Sequence, residues 1–340
     1  MLHELKNIVE AALEAETLGL PTVFVSVVAL EGSSYRRPGV RMLMRSDGAM
    51  AGAVSGGCVE KEIWVQAQSV FTEGKPKLIT YDGRFRLGCE GLLYILIEPL
   101  KLQTDFVTHF RKGMSKREPL ELKSIFSREE SHRYVGGTFF KSTGGWLRLS
   151  AQADIGLLQV EGMETYHQQL APRFKLVIVG AEHDAVELCK YAALTGWEVA
   201  IIAAPDEAKT QSDFPGSDSF LYLDETGLAD YALDSQTAVV LMTHSFTKDL
   251  KYLMAISYKE MAYLGVLGPA KRREKLLNQL LEFQEDVPDI FFDTIHGPSG
   301  LNIGAETPQE IAISVMAEIL AVIRHQQPQS LREKKEGIHD

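Results

Sequence analysis

Residues 175–203 read KLVIVGAEHDAVELCKYAALTGWEVAIIA. KLVIVGA is a continuous apolar run, DAVELCKYAALTGW repeats its apolar residues at helical spacing and ends near Gly196, and EVAIIAA is a second apolar run. Strands that are apolar throughout, without alternation, are those buried on both faces, and a helix linking two of them makes them parallel. AVVLMTHS and AYLGVLG repeat the pattern further along, each ahead of a helix. Residues 173–325 are therefore expected to form a Rossmann-like parallel sheet with helices on both faces. The last helix opens on Thr307-Pro308-Gln309-Glu310, a capping box with proline at the first helical position, and residues 326–340 read as a polar mobile tail.

The first strand-to-helix turn, Gly180-Ala181-Glu182-His183-Asp184-Ala185, stands where a dinucleotide fingerprint G-x-G-x-x-G/A belongs. Gly180 and Ala185 fit it, but Glu182 replaces the glycine that makes room for a pyrophosphate, and its carboxylate would repel one. Ala203-Ala204-Pro205 ends the next strand without an acid for a ribose, although Asp206 is close. NAD(P) is thus not expected to bind in the usual way, and Gly180, Ala181, His183 and His244 outline only a weak nucleotide-like crevice. Lys271-Arg272-Arg273 open a helix after Gly268-Pro269, an unfavourable end for cations unless an anion lies nearby; simple solvation is the alternative. Gly297-Pro298-Ser299-Gly300-Leu301-Asn302-Ile303-Gly304 is expected to shape the crevice or an interface.

Composition narrows the function. The 340 residues are 45% hydrophobic and 24% charged with a formal net charge of −11, which excludes a general nucleic-acid binder. Three cysteines, Cys58, Cys89 and Cys189, can build neither a disulfide framework nor a cysteine-ligated zinc or iron–sulfur site within one chain. Free thiols suit a cytoplasmic location. The opening MLHELKNIVEAALEAETLGL is broken by Glu4, Glu10, Glu14 and Glu16 and reads as an amphipathic helix, not a signal peptide. IAISVMAEILAVI is too short to span a bilayer, so no membrane association is expected.

In residues 1–100, TVFVSVVAL (22–30) reads as a strand, a hairpin is expected around Ser46-Asp47-Gly48, and LLYILIEPL (92–100) is a further strand. Ser55-Gly56-Gly57-Cys58-Val59-Glu60 carries a glycine pair for close backbone approach and puts Cys58 in the first turn of a helix running to about residue 73. Free amides and the helix dipole there would favour an anion and a reactive or metal-directed thiolate; the alternative is a small buried residue after a turn. Gly88-Cys89-Glu90-Gly91 frames a second cysteine. The loop Gly32-Ser33-Ser34-Tyr35-Arg36-Arg37-Pro38-Gly39 has the hydroxyls and arginines of an oxyanion site, or of a solvated basic loop. Residues 101–172 form a connecting region with a hairpin at TFFKS-TGG-WLRLS, and METYHQQLAPRF reads as a linker. Cys189 lies on the apolar face of its helix and reads as core.

Together these segments resemble the xanthine dehydrogenase accessory family, the XdhC/CoxI-type proteins. EGSSYRRPGVRM, DGAMAGAVSGGCVEKEI and the LGCEG region resemble its N-terminal α/β domain; VIVGAEHDA, LMTHS, YLGVLGPAKRRE and GLNIGAETPQEIAISVMAEI resemble its Rossmann domain. The resemblance implies a maturation factor, more a cofactor chaperone than an enzyme and not itself a xanthine dehydrogenase. It would bind molybdenum cofactor, assist its sulfuration and deliver it to a xanthine dehydrogenase-type client. A cysteine desulfurase would be a possible partner and a homodimer the expected assembly. Cys58 and Cys89 fall on the family's cysteines, though Cys89-Glu90-Gly91 stands where many relatives read Cys-Gly-Gly. Ser33, Ser34, Arg36, Arg37, Ser55, Gly56, Gly57 and Glu60 complete the expected cofactor site, with Cys58 or Cys89 as the contact to the metal or donor of sulfur. A nicotinamide-dependent oxidoreductase and a non-catalytic adaptor are the competing readings.

Overall fold

A computed structural model describes residues 2–32, 34, 37–55, 57–83, 91–129, 135–284 and 286–333, with only the backbone of Cys58. The chain divides into two compact units, Met1–Pro172 and Arg173–Asp340.

The first unit begins with α1 (Leu2–Thr17), β1 (Thr22–Glu31), β2 (Arg41–Arg45), β3 (Met50–Gly52), α2 (Cys58–Glu73), β4 (Lys77–Asp82) and β5 (Leu92–Leu100). The strands form one sheet in the order β3-β2-β1-β5-β4, antiparallel at every pairing. Both faces are covered. Val23, Val25 and Val27 of β1 pack with Val59, Ile63 and Ala67 of α2, while Phe24 faces Leu5, Ile8 and Val9 of α1. Double burial explains why β1 is apolar on both faces from Val23 to Leu30, Ser26 excepted, although its neighbours are antiparallel. The expected hairpin at residues 46–48 joins β2 to β3, with Gly48 at φ 93°.

The unit continues with α3 (Thr104–Lys116), β6 (Leu120–Phe126), β7 (Gly136–Ser142), β8 (Gly145–Arg148) and β9 (Glu164–Leu170). A second antiparallel sheet has the order β8-β7-β6-β9. TFFKS-TGG-WLRLS forms the β7–β8 hairpin. METYHQQLAPRF is not a linker: Glu164–Leu170 pairs along β6 from Leu120↔Leu170 to Phe126↔Glu164. An edge strand needs few apolar residues, and β9 buries only Gln168 and Leu170, so its sequence lacks the usual strand signal.

The second unit is built from β10 (Lys175–Val179), α4 (His183–Leu194), β11 (Glu198–Ala203), β12 (Ser219–Tyr222), α5 (Glu225–Asp230) and β13 (Thr237–Leu241). Then come α6 (Phe246–Ile256), β14 (Tyr263–Val266), α7 (Ala270–Phe283), α8 (Asp289–Asp293), β15 (Ile295–His296) and α9 (Pro308–Ile323). Six parallel strands run in the order β12-β11-β10-β13-β14-β15. The order reverses between β10 and β13, the switch point at which open α/β sheets bind ligands. Residues of α4 and α9 cover one face and residues of α5, α6 and α7 the other. Thr307 Oγ1 accepts from Glu310 N–H at 3.3 Å and Glu310 Oε2 from Thr307 N–H at 2.9 Å, closing the expected capping box. Cys189 is core: its side chain is buried, and burial pushes its thiol pKa up to about 12. Among the described residues no helix is long and apolar enough to cross a membrane.

Candidate functional site

Strand pairing gathers the three motifs of the first unit. Glu31, the last residue of β1, is paired with Leu92, the first of β5. Arg41, the first of β2, is paired with Ser26, and Met42 with Gly52 at the end of β3. Asp82, the last of β4, also faces Leu92. Loops 32–40, 53–57 and 83–91 therefore leave the same end of one sheet, and these loops carry the arginines, Cys58's turn and Cys89. Ser34 is half-buried and Arg37 exposed. Ser33, Arg36, Gly56, Cys89 and the side chain of Cys58 lie outside the described residues.

The turn before α2 departs from the expected nest of free amides. Glu60 folds back from the first turn, and its Oε1 accepts from Val54 N–H (3.0 Å) and Ser55 N–H (2.6 Å). Its Oε2 accepts from Gly57 N–H (2.9 Å) and the Ser55 hydroxyl (2.5 Å). The anion that the turn attracts is thus the chain's own carboxylate. Burial opposes its ionisation, but the Ser55 hydroxyl and the backbone N–H groups together outweigh burial and hold its pKa below the usual value. Gly57 has φ 118°, and among the described residues nothing lies within 4 Å of where a side chain would begin. Gly57→Ala is expected to cost about 2 kcal/mol from backbone strain alone. A lower urea midpoint at unchanged slope would show it.

The root of loop 32–40 rests on residues that carry no motif in the sequence. Tyr166 of β9 donates its hydroxyl to Pro38 O at 2.7 Å, and Arg41 Nη1 donates to Gly39 O at 2.9 Å and also to Gln168 Oε1. Arg41 is buried, and its Nε and Nη2 have no hydrogen-bond partner among the described residues. Burial lowers its pKa to about 10, against the pull of Tyr166 and Glu98. Glu98 of β5, 2% exposed, accepts from Thr138 N–H at 3.0 Å and the Thr138 hydroxyl at 2.5 Å. Burial raises its pKa to about 7 despite Thr138 and the charge of Arg41. At the loop's other root, Arg128 donates to Glu31 Oε1 at 2.5 Å and to both Glu164 carboxylate oxygens, and Tyr94 donates to Glu31 at 3.1 Å. A cavity of about 370 Å³ lies at the opposite end of the sheet, lined by Thr22, Val23 and Leu100, with no cysteine or arginine among the described residues of its wall.

In the second unit the switch point is crowded. Gly180 has φ 132°, and a Cβ there would sit 2.5 Å from Met242 O. Lys209 Nζ donates to Ala181 O. His244, at φ 56°, reaches across the crevice to Asp184, with Nε2 3.4 Å from Oδ2. Glu182 and His183 are exposed at the start of α4. The anion expected near Lys271-Arg272-Arg273 is in part Asp249 of α6, buried 2.6 Å from Arg272 Nη2 and also accepting from Thr243 N–H and Oγ1–H. Among the described residues no group of three or more His, Cys, Asp or Glu side chains could hold a metal ion.

A family model described as the XdhC Rossmann domain matches residues 176–319, and one described as the XdhC and CoxI family matches residues 16–82. The chain belongs to the XdhC and CoxI family. The XdhC Rossmann match spans β10 to α9, and the XdhC and CoxI match ends at Asp82 just before the loop of Cys89. A relative from Bacillus subtilis (strain 168), named as a probable xanthine dehydrogenase subunit, is 28% identical over 314 residues, 88% of this chain and 92% of that protein. The molybdenum cofactor insertion chaperone PaoD of Escherichia coli (strain K12) is 26% identical over 333 residues, 96% of this chain and 91% of that protein. A crystal structure described as a xanthine dehydrogenase from Bacillus halodurans superposes with a TM-score of 0.75 at 24% identity, covering 97% of this chain and 98% of that one. It shares the XdhC fold.

Proposed function

We propose that this chain binds molybdenum cofactor as cargo, supports its sulfuration and hands it to a xanthine dehydrogenase-type molybdoenzyme. The observation that carries the reading is the convergence of loops 32–40, 53–57 and 83–91 at one end of the first sheet. The names of the relatives, a molybdenum cofactor insertion chaperone and a xanthine dehydrogenase subunit, support the cargo and the client. An anionic, phosphate-bearing pterin with a sulfur-rich metal end suits this set of groups. Ser33, Ser34, Arg36 and Arg37 are the donors for its phosphate or oxo groups. Gly57, without a side chain, admits it close to the backbone, and Cys58 or Cys89 faces the metal or passes sulfur. Glu60 holds the turn in shape without touching the cargo. A cysteine desulfurase supplies the sulfur, the chain works as a homodimer in the cytoplasm, and NAD(P) takes no part.

Protein purified from cells that make the cofactor is expected to carry molybdenum and pterin, and Cys58→Ala to lose most of both at unchanged thermal midpoint. Metal analysis and pterin fluorescence provide the measurement. Wild-type protein without cofactor, or a Cys58→Ala protein with a full load, would overturn the reading. A thermal shift with NAD or NADP would favour the oxidoreductase instead.

A further inference from the structure

Beyond the crowded switch point, the second unit has a different opening at the carboxyl ends of β14 and β15. A cavity of about 630 Å³, within the range typical of small-molecule sites, is walled by Gly268 and Pro269 before α7, by loop 298–305, and by Ser314 of α9. A second opening of about 750 Å³ shares Pro269 and continues past Lys271 and Lys275 along α7.

The loop is fixed in place. Ser299 N–H donates to Val266 O at 3.1 Å, Leu301 N–H to Ser314 O at 3.2 Å, and the Ser314 hydroxyl to Leu301 O at 2.6 Å. Gly300 N–H donates to Glu318 Oε2 at 2.9 Å. Gly265 of β14 makes the space: a Cβ there would lie 2.6 Å from Ser299 Oγ and 2.8 Å from the Tyr263 ring.

The Ser299 hydroxyl in the wall has a polarity fixed by buried groups behind it. Tyr263, fully buried, donates its one proton to Glu318 Oε2 at 2.5 Å. Burial opposes the charge on Glu318, but His296, Tyr263 and Gly300 together outweigh it and hold the carboxyl below its usual range, so it stays an acceptor. Ser299 Oγ, 2.6 Å from the Tyr263 oxygen, must then be the donor of that pair. Its proton is committed inward, and its remaining lone pairs are left for a donor in the cavity. At the neighbouring wall, α7 starts at Pro269 with no side-chain cap, no acid in its first turn and an exposed Lys271. That wall suits an anion.

We propose that this cavity binds a phosphorylated polyol, a hydroxyl of which donates to Ser299 while the phosphate lies at the start of α7 beside Lys271. The ribose phosphate half of a nucleotide has this chemistry. None of the residues assigned to it belongs to the switch-point crevice or to the loops of the first unit.

Calorimetric titration of the full-length protein with ribose 5-phosphate, inorganic phosphate and ribose tests the assignment. Ribose 5-phosphate is expected to bind, and each fragment alone to bind at least about tenfold more weakly. Ser299→Ala is expected to weaken ribose 5-phosphate about tenfold and leave inorganic phosphate unchanged, because Tyr263 keeps its bond to Glu318. Lys271→Ala, at an exposed position outside the core, is expected to weaken both. Cys58→Ala is expected to change none of them, which separates this site from cargo binding. No heat with ribose 5-phosphate at millimolar concentration, or binding indifferent to both Ser299→Ala and Lys271→Ala, would overturn the proposal.

Discussion

Glu60→Gln is expected to destabilise the first unit by about 3 kcal/mol and, under the proposed function, to lower the molybdenum content of the purified protein. The carboxylate accepts three backbone N–H groups and the Ser55 hydroxyl. An amide can keep the two N–H bonds to one oxygen, but its NH2 then points at the N–H of Gly57. Gly57 N–H then keeps only its longer bond to Ser55 Oγ at 3.2 Å, and the other donors lose the extra strength of a charged acceptor. Acid should mimic the substitution. The pKa of Glu60 is lowered in the folded chain, so its contribution is present above the unfolded carboxyl pKa and is lost as pH falls through the folded value, below 4.5. Urea melts at neutral pH give the first number, and molybdenum content of the purified variant gives the second. Equal midpoints for wild type and Glu60→Gln would show that the turn does not depend on this carboxylate.

Glu98 has the opposite sign. Its folded pKa, about 7, is above the ordinary value of 4.5, so the folded chain holds the proton more tightly than the unfolded chain. Its stabilising contribution is complete below 4.5 and is lost as pH rises through about 7. Over that window the loss is about 3 kcal/mol. Arg41, with a pKa of about 10, stays charged throughout and does not contribute to the slope. Glu98→Gln keeps an acceptor for Thr138 N–H and removes the titration. Wild type is expected to be less stable at pH 8 than at pH 5 by about 3 kcal/mol relative to Glu98→Gln, read from paired urea melts. Parallel pH profiles would place the charge of Glu98 in a better-solvated setting than its 2% exposure indicates.

Much of the architecture is visible in the residues. The apolar runs of β10, β11, β13 and β14 announce strands buried on both faces, and Thr307 with Glu310 announces the start of α9. Glu98 also leaves a trace: a lone acid inside LLYILIEPL has to be buried with partners or neutralised. Arg41 leaves less, because RMLMR reads as an ordinary strand with charged ends. β9 leaves almost none. Its value lies in placing Tyr166 and Gln168 against the root of loop 32–40. That placement depends on its register with β6, which sets Tyr166 opposite Ser124 and Gln168 opposite Leu122, and no local pattern in either strand specifies it.

Periodicity was enough for the parallel second unit and for the strands and helices around the glycine motifs. Those are local properties of the chain. It took the folded arrangement to bring three loops to one sheet end, to fill the nest before α2 with Glu60, and to set Ser299 against Tyr263 at the wall of a cavity. Each depends on strand order or on which hydrogen-bonding groups become neighbours. Side-chain type shows what a residue can donate or accept, and only its neighbours in space decide which of those bonds is made.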